Sequence, residues 1–139
     1  MQIHRINHPL VEHHLSTIRN ASVPSSVFRQ SVSALAMLVG VRATEDLPTC
    51  DVSVNTPMSL TTCRQLSVRV ALVPILRAGL GLVEPMLSMI PDAEVWHLGL
   101  YRNEETAEPV SYYDKLSAGP PTDVGVILDP MLATGGSVL

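Results

Sequence analysis

Through the first 47 positions apolar residues return every three or four places; the period then shortens to two, and finally gives way to short unbroken apolar runs. Each change of period predicts a change of element. In HPLVEHHLSTIRN, residues Leu10, Val11, His14, Leu15 and Ile18 share one side of a helix that ends near Asn20 and Ala21. A second helix is predicted from Pro24 to about Ala43, because proline is tolerated in a first turn and Phe28, Val32, Leu35 and Val39 form one stripe. Leu47 and Pro48 stop it. Val52 and Val54 then alternate with polar residues, Asn55, Thr56 and Pro57 make a turn, and Met58 and Leu60 resume the alternation. That pattern predicts a protruding β-hairpin arm.

The run SVRVALVP, around Val68 to Val73, is almost continuously aliphatic, as a strand buried on both faces of a parallel sheet must be. Leu80, Val83, Leu87 and Ile90 in ILRAGLGLVEPMLSMI predict a helix after it. AEVWHLGLY supplies a second strand near Val95 to Leu100, and DVGVILD a third near Val124 to Leu128. Between these two lies a polar stretch from Arg102 to Asp123 with Pro109, Gly119, Pro120 and Pro121, a loop with an extended excursion around Val110 to Tyr113. Strands separated by helices or long crossovers make an open, mostly parallel α/β sheet, whose ligands sit beyond the carboxyl ends of the strands. Three segments follow strands directly: ILRAG (Ile75 to Gly79), YRNEET (Tyr101 to Thr106) and DPMLATGGS (Asp129 to Ser137). Parallel strands would bring all three to one edge.

Composition narrows the classes. With 139 residues, 46% apolar and 16% charged, the chain can bury the core of one domain. Its expected parts are a helical region at 1–48, a hairpin arm at 49–67 and an α/β core at 68–139. A net charge of -4, with nine Lys and Arg spread along the chain, offers no basic stripe for a nucleic acid. No apolar run approaches the roughly 18 residues of a membrane span, and MQIHRINHPL lacks the layout of a secretory signal, so no membrane partner and a cytoplasmic location are expected. In that reducing compartment Cys50 and Cys63, although on facing halves of the hairpin, are read as free thiols. His4, His8, His13 and His14, with Glu12, read as a solvated helix face, because no Cys or Asp completes a tetrahedral metal set. Trp96, Met86 and Met89 are assigned to the core. Tyr112 and Tyr113 stay open, a flap being one option.

The third segment has the most chemistry. Thr134, Gly135, Gly136 and Ser137 stand where a loop becomes a helix, and the first amides of a helix lack internal partners and carry the positive end of its dipole. An anion fits there. The glycines let backbone approach a phosphate and the hydroxyls add donors. Asp129, at the strand tip, would instead accept hydrogen bonds from sugar hydroxyls. Phosphate beside sugar points to a sugar phosphate. A nucleoside-triphosphate loop is excluded because no lysine lies in this segment, and a dinucleotide fingerprint starting at Gly79 and Gly81 fails because Glu84 occupies the third glycine position.

VILDPMLATGGS resembles the phosphoribosyl pyrophosphate loop of type I phosphoribosyltransferases, and with VPILRAGLG and YRNEET it is similar to the uracil phosphoribosyltransferase family. The likeness runs thinly from NHPLVEHHL to the last residue. Most of the superfamily has two adjacent acidic residues where this chain has Asp129 and Pro130; the proline is typical of the uracil branch. The resemblance implies an open, type I phosphoribosyltransferase-like sheet with N-terminal helices, and attack of uracil on the anomeric carbon of phosphoribosyl pyrophosphate. Its products are uridine monophosphate and pyrophosphate. It implies diphosphate contacts for Arg77 and Arg102, ribose contacts for Asp129, and a substrate-binding loop of Pro130, Met131, Leu132, Ala133, Thr134, Gly135, Gly136 and Ser137. No metal-ligand set is assigned; magnesium is expected on the diphosphate, with Asp129 the carboxylate that could stand near it. GTP binding and a homodimer formed through the N-terminal part and the hairpin arm come with the family.

Taken singly, Arg77 could cap the turn before Gly79 and Arg102 could pair with Glu104 or Glu105. The family recognises its base in a segment well downstream of the phosphate loop, so the chain is expected to be truncated after that loop and inactive alone. Two other classes remain open at this level: a phosphoribosyltransferase-like nucleotide-sensing regulator, and a non-catalytic remnant that dimerises through its arm.

Overall fold

The computed structural model describes residues 2–102, 109–114 and 122–131, with the backbone alone for 101, 102, 109–112 and 114. Helix α1 (Pro9–Arg19) opens with proline in its first turn, and the Nδ1 of its N-cap His8 accepts the Leu10 N–H at 3.2 Å. Its chain leaves at Asn20, whose side-chain oxygen accepts the Ser22 N–H at 2.9 Å. Helix α2 (Ser25–Ala43) follows, with Pro24 as its N-cap and the Thr44 hydroxyl donating to the Gly40 carbonyl at 2.7 Å at its end. The two helices pack against each other.

The buried face of α2 differs from the predicted stripe. Phe28 is 42% and Val39 50% exposed, Val32 and Leu35 are half-buried, and the positions that are buried are Ser31, Ala36 and Gly40. Small residues win because a neighbouring helix comes close: a Cβ on Gly40 would lie 2.6 Å from Met86 Sδ and 3.2 Å from Met89 Sδ. Those sulfurs belong to flexible side chains. Gly40→Ala is therefore expected to remain within about 1 kcal/mol of the parent by chemical denaturation, since the roughly 1 kcal/mol gain in helix propensity offsets the shift of Met86.

The hairpin forms as predicted. Strands β1 (Thr49–Asn55) and β2 (Leu60–Leu66) pair antiparallel, and Thr56 closes the turn: its N–H reaches the Ser59 carbonyl at 3.1 Å, and its hydroxyl oxygen accepts the Ser59 N–H at 3.1 Å. Val52, Val54 and Cys63 are half-buried and every other strand residue is exposed, as in an arm that leaves the body. Val52 faces Cys63 and Cys50 faces Gln65, so the two cysteines are diagonal neighbours, and both are free.

Five further strands make the main sheet: β3 (Val70–Leu76), β4 (Glu94–Val95), β5 (Leu98–Arg102), β6 (Pro109–Asp114) and β7 (Val124–Leu128). β3 is central. On one side it pairs parallel with β7, Leu72 opposite Val126; on the other it pairs with β4 at Leu72–Val95 and with β5 at Ile75–Leu98. The register is unchanged from β4 to β5, so they are one strand interrupted at Trp96 and His97, and the Trp96 N–H still bonds the Leu72 carbonyl at 2.9 Å. β6 is antiparallel to β5 and contains the extended excursion anticipated between Val110 and Tyr113. β3 lies two to three residues later than predicted, because Pro74 does not end it. Pro74 faces Leu128, the last residue of β7, where a missing N–H costs at most a terminal ladder bond.

Between β3 and β4 the chain makes a short 3₁₀ helix (Ala78–Leu82) and then helix α3 (Val83–Met89), where a single helix had been expected. Leu80 is 45% exposed as a result, whereas Met86 and Ile90 are buried. The core forms on one face of the sheet, where Val70, Leu72 and Leu128 meet Met86 and Ile90, with Val126 at its margin. At the opposite ends of the strands Asp123 ties β7 to β3: its carboxylate accepts the Arg69 N–H at 2.8 Å and lies 3.7 Å from Arg69 Nε. Both side chains are about half exposed, so the ion pair adds little and the backbone bond dominates. Asp123→Ala should cost about 1 kcal/mol in an equilibrium denaturation, and Arg69→Ala distinctly less.

Candidate functional site

Three adjacent parallel strands end on one edge of the sheet. β3 finishes at Leu76 and is followed by Arg77, β5 ends with Arg102, and β7 finishes at Leu128 and is followed by Asp129. Because β3 lies between the other two, the three tips occupy consecutive positions along a single rim. Arg77, Arg102 and Asp129 are thus brought to one edge, although 25 and 27 positions separate them in the chain.

The first tip depends on Gly79. This residue is buried, and a Cβ on it would stand 2.3 Å from the Leu128 carbonyl oxygen and 3.1 Å from Pro74 Cα. No side chain fits between those backbone atoms. Glycine therefore allows the turn after β3 to fold directly over the ends of β3 and β7, next to the residue preceding Asp129. Arg77 opens the 3₁₀ helix through its backbone, its carbonyl accepting the Leu80 N–H at 3.2 Å, and its side chain makes no capping bond. Its guanidinium is exposed, and among the described residues it enters no ion pair. The turn-capping alternative for this side chain therefore has no contact to support it. In the sequence Gly79 stood out as the end of the ILRAG segment and the start of a failed dinucleotide fingerprint, and its steric role was not legible there.

At the third tip Asp129 is half-buried, and one carboxylate oxygen accepts the Met131 N–H at 3.1 Å. That bond fixes the carboxylate at the strand end, and its second oxygen has no partner among the described residues. Pro130 and Met131 are exposed, Met131 at 78%. Arg102 closes β5 opposite Pro109. Leu132, Ala133, Thr134, Gly135, Gly136 and Ser137, and the glutamates considered as partners of Arg102, lie outside the described residues.

The histidines are placed as follows. His8 caps α1, His4 Nδ1 is 3.0 Å from an Arg42 guanidinium nitrogen, and that arginine also pairs with Glu45. His13 and His14 meet edge to face at 5.1 Å. His14 is half-buried, not solvated, with its Nδ1 shielded and without a hydrogen-bond partner among the described residues, because its place on α1 turns it toward the apolar side. Among the described residues no three His, Cys, Asp or Glu side chains are grouped closely enough to hold a metal. Trp96 is half-buried, its indole N–H donating to Glu94 at 2.8 Å. Among the described residues no helix is long and apolar enough to cross a membrane.

An open, mostly parallel sheet with N-terminal helices defines an α/β protein of the class whose ligands lie beyond the carboxyl ends of the strands. The model of the family described as uracil phosphoribosyltransferase matches residues 5–139, and the chain belongs to that family. It is 47% identical over 138 residues to a uracil phosphoribosyltransferase of Roseiflexus castenholzii, covering 99% of this chain and 66% of that one. It is 50% identical to a uracil phosphoribosyltransferase of Symbiobacterium thermophilum, covering 96% and 65%. The solved structure of the AQ2163 protein from Aquifex aeolicus superposes with a TM-score of 0.89 at 36% identity, covering 99% of this chain and 66% of that chain. The chain thus spans just under two thirds of the length of the curated relatives it matches.

Proposed function

We propose that this chain carries the phosphoribosyl pyrophosphate site of a uracil phosphoribosyltransferase, a transferase of pyrimidine salvage that joins uracil to the ribose phosphate and releases pyrophosphate. One observation supports this most: two arginines and an aspartate stand at three neighbouring strand ends on one rim. In the reaction a ring nitrogen of uracil forms a bond to the anomeric carbon and loses its proton, while the bond from that carbon to the diphosphate breaks with its electron pair on the leaving oxygen. Positive charge grows on the ribose as negative charge grows on the diphosphate. Fixed guanidinium groups at Arg77 and Arg102 are suited to hold the departing diphosphate, and they act most strongly when its charge is largest.

Asp129 is suited to the ribose between the diphosphate and the 5′-phosphate. Its second carboxylate oxygen, without a partner among the described residues, can accept from a ribose hydroxyl, and its negative charge favours the cation-like ring of the transition state. Pro130 and Met131 continue from it into Leu132 to Ser137, which we assign to the 5′-phosphate through backbone amides and the hydroxyls of Thr134 and Ser137. The residues present also fit magnesium: a single hard carboxylate oxygen beside a diphosphate is the donor set this ion accepts, since it keeps most of its waters. When bound, magnesium would neutralise diphosphate charge. The same reading includes a cytoplasmic homodimer joined through the N-terminal part and the hairpin arm, where Met58, Leu60 and Leu66 are exposed. GTP binding rests on the family likeness alone.

Titration calorimetry with phosphoribosyl pyrophosphate tests the proposal. A saturable heat that requires magnesium is the expected result. Absence of heat with and without the ion would remove it.

A further inference from the structure

Both cysteines of the chain stand on the hairpin arm, away from the strand-end rim, and the reading of that rim uses neither. The register fixes their relation. Val52 pairs with Cys63 and Cys50 with Gln65, and side chains alternate between faces along each strand, so Cys50, Val52 and Cys63 project from the same face. Cys63 is half-buried there opposite Val52, and Cys50 is exposed, so the pair is open to solvent at Cys50. Asp51 pairs with Arg64 on the other face, Arg64 Nε standing 3.4 Å from an Asp51 carboxylate oxygen, and that ion pair lies away from the thiols.

Spacing decides what two such thiols can do. Diagonal neighbours on an antiparallel pair stand roughly 7–8 Å apart at Cα, and beyond about 7 Å a disulfide, with its S–S bond of about 2.0 Å, needs the backbone to move. A metal ion relaxes that demand: with a metal–thiolate bond of about 2.3 Å on each side, two sulfurs can stand up to roughly 4.6 Å apart. Among the described residues no third His, Cys, Asp or Glu joins the pair. Structural zinc takes four ligands and calcium or magnesium takes oxygen, whereas copper(I) is soft, selects thiolate and accepts two ligands in a line. We infer that Cys50 and Cys63 form a copper(I) site that bridges the two strands of the arm. Each thiol gives its proton to solvent and donates a sulfur lone pair to the ion, which stays copper(I), so no oxidant or reductant is consumed. A two-stranded ribbon is marginally stable by itself, and a bridge between its strands ties the arm together. The inference is independent of the phosphoribosyl pyrophosphate reading, since neither cysteine lies on the rim.

The reduced, full 139-residue chain would be titrated without oxygen against copper(I) held by bathocuproine disulfonate, whose colour reports the copper it keeps. Withdrawal of one ion per chain is expected. Cys50→Ser and Cys63→Ser should each weaken copper binding at least tenfold, whereas Ser53→Ala, on the opposite face of the arm, should leave it unchanged. Failure to withdraw copper would overturn the inference, as would copper held equally well by either serine variant. One ion shared between two chains would also overturn it, because the bridge would then join copies instead of strands. Should a variant unfold, alkylation of the parent chain decides: copper that shields both thiols together from iodoacetamide supports the inference, and shielding of one alone, or of neither, ends it. No phosphoribosyl pyrophosphate enters these measurements, so a failure here differs from a failure of substrate binding.

Discussion

Replacing Gly79 with valine is expected to destroy the turn over the sheet tips and to lower stability by about 3 kcal/mol or more. The reason is the position of the missing Cβ, 2.3 Å from one backbone oxygen and 3.1 to 3.2 Å from two backbone carbons. Overpacking a core against movable side chains costs about 1–3 kcal/mol, and here the obstacles are main-chain atoms of two paired strands, which cannot rotate away. Gly79→Ala should be destabilising in the same direction by a smaller amount. Gly81, where a Cβ would meet nothing within 4 Å, is the internal control, and Gly81→Ala should be nearly silent. Guanidinium denaturation of the three variants checks the order. Equal losses at 79 and 81 would mean that glycine flexibility matters there and that close approach to Leu128 does not.

The second large effect concerns the ligand. Arg77→Gln is expected to weaken phosphoribosyl pyrophosphate about 10- to 100-fold in calorimetry, the size of one lost charge-assisted contact. Stability should barely change, because the Arg77 side chain is exposed and makes no capping bond. Asp129→Asn probes the ribose contact with a cleaner substitution. The amide oxygen can still accept the Met131 N–H that the carboxylate accepts at 3.1 Å, so the strand tip keeps its shape and the charge alone is lost. Its expected signature is a loss in the rate of uracil transfer, in family members that perform it, larger than its loss in binding, because the developing charge on the ribose is greatest in the transition state. Equal losses in both would make Asp129 a binding residue only.

Much of this was legible beforehand, and for identifiable reasons. The aliphatic runs at Val70 and Val124 and the alternation around Val52 depend on local period alone, so the sheet and the hairpin could be read directly. Parallel topology singled out the loops that follow β3, β5 and β7, whereas the roles proposed for Arg77 and Arg102 within them came from the family resemblance. Helix α2 was placed correctly, but its packing face was not, since a hydrophobic stripe cannot show that the neighbouring helix comes near enough to favour glycine at position 40. The division of the helix after β3 into two pieces, and the closure of Gly79 over Leu128, are likewise tertiary facts. The closure depends on residues 49 positions apart in the chain, Gly79 and Leu128.

The geometry at the rim is best tested by nuclear magnetic resonance with Mn²⁺ in place of magnesium, added together with phosphoribosyl pyrophosphate to the isotope-labelled chain. A paramagnetic ion on the diphosphate should broaden the amides of Arg77 to Gly79, Arg102 and Asp129 to Met131 together, while leaving the hairpin turn at Met58 and Ser59 sharp. Broadening confined to one of these strand ends, or centred on the hairpin, would contradict a shared site.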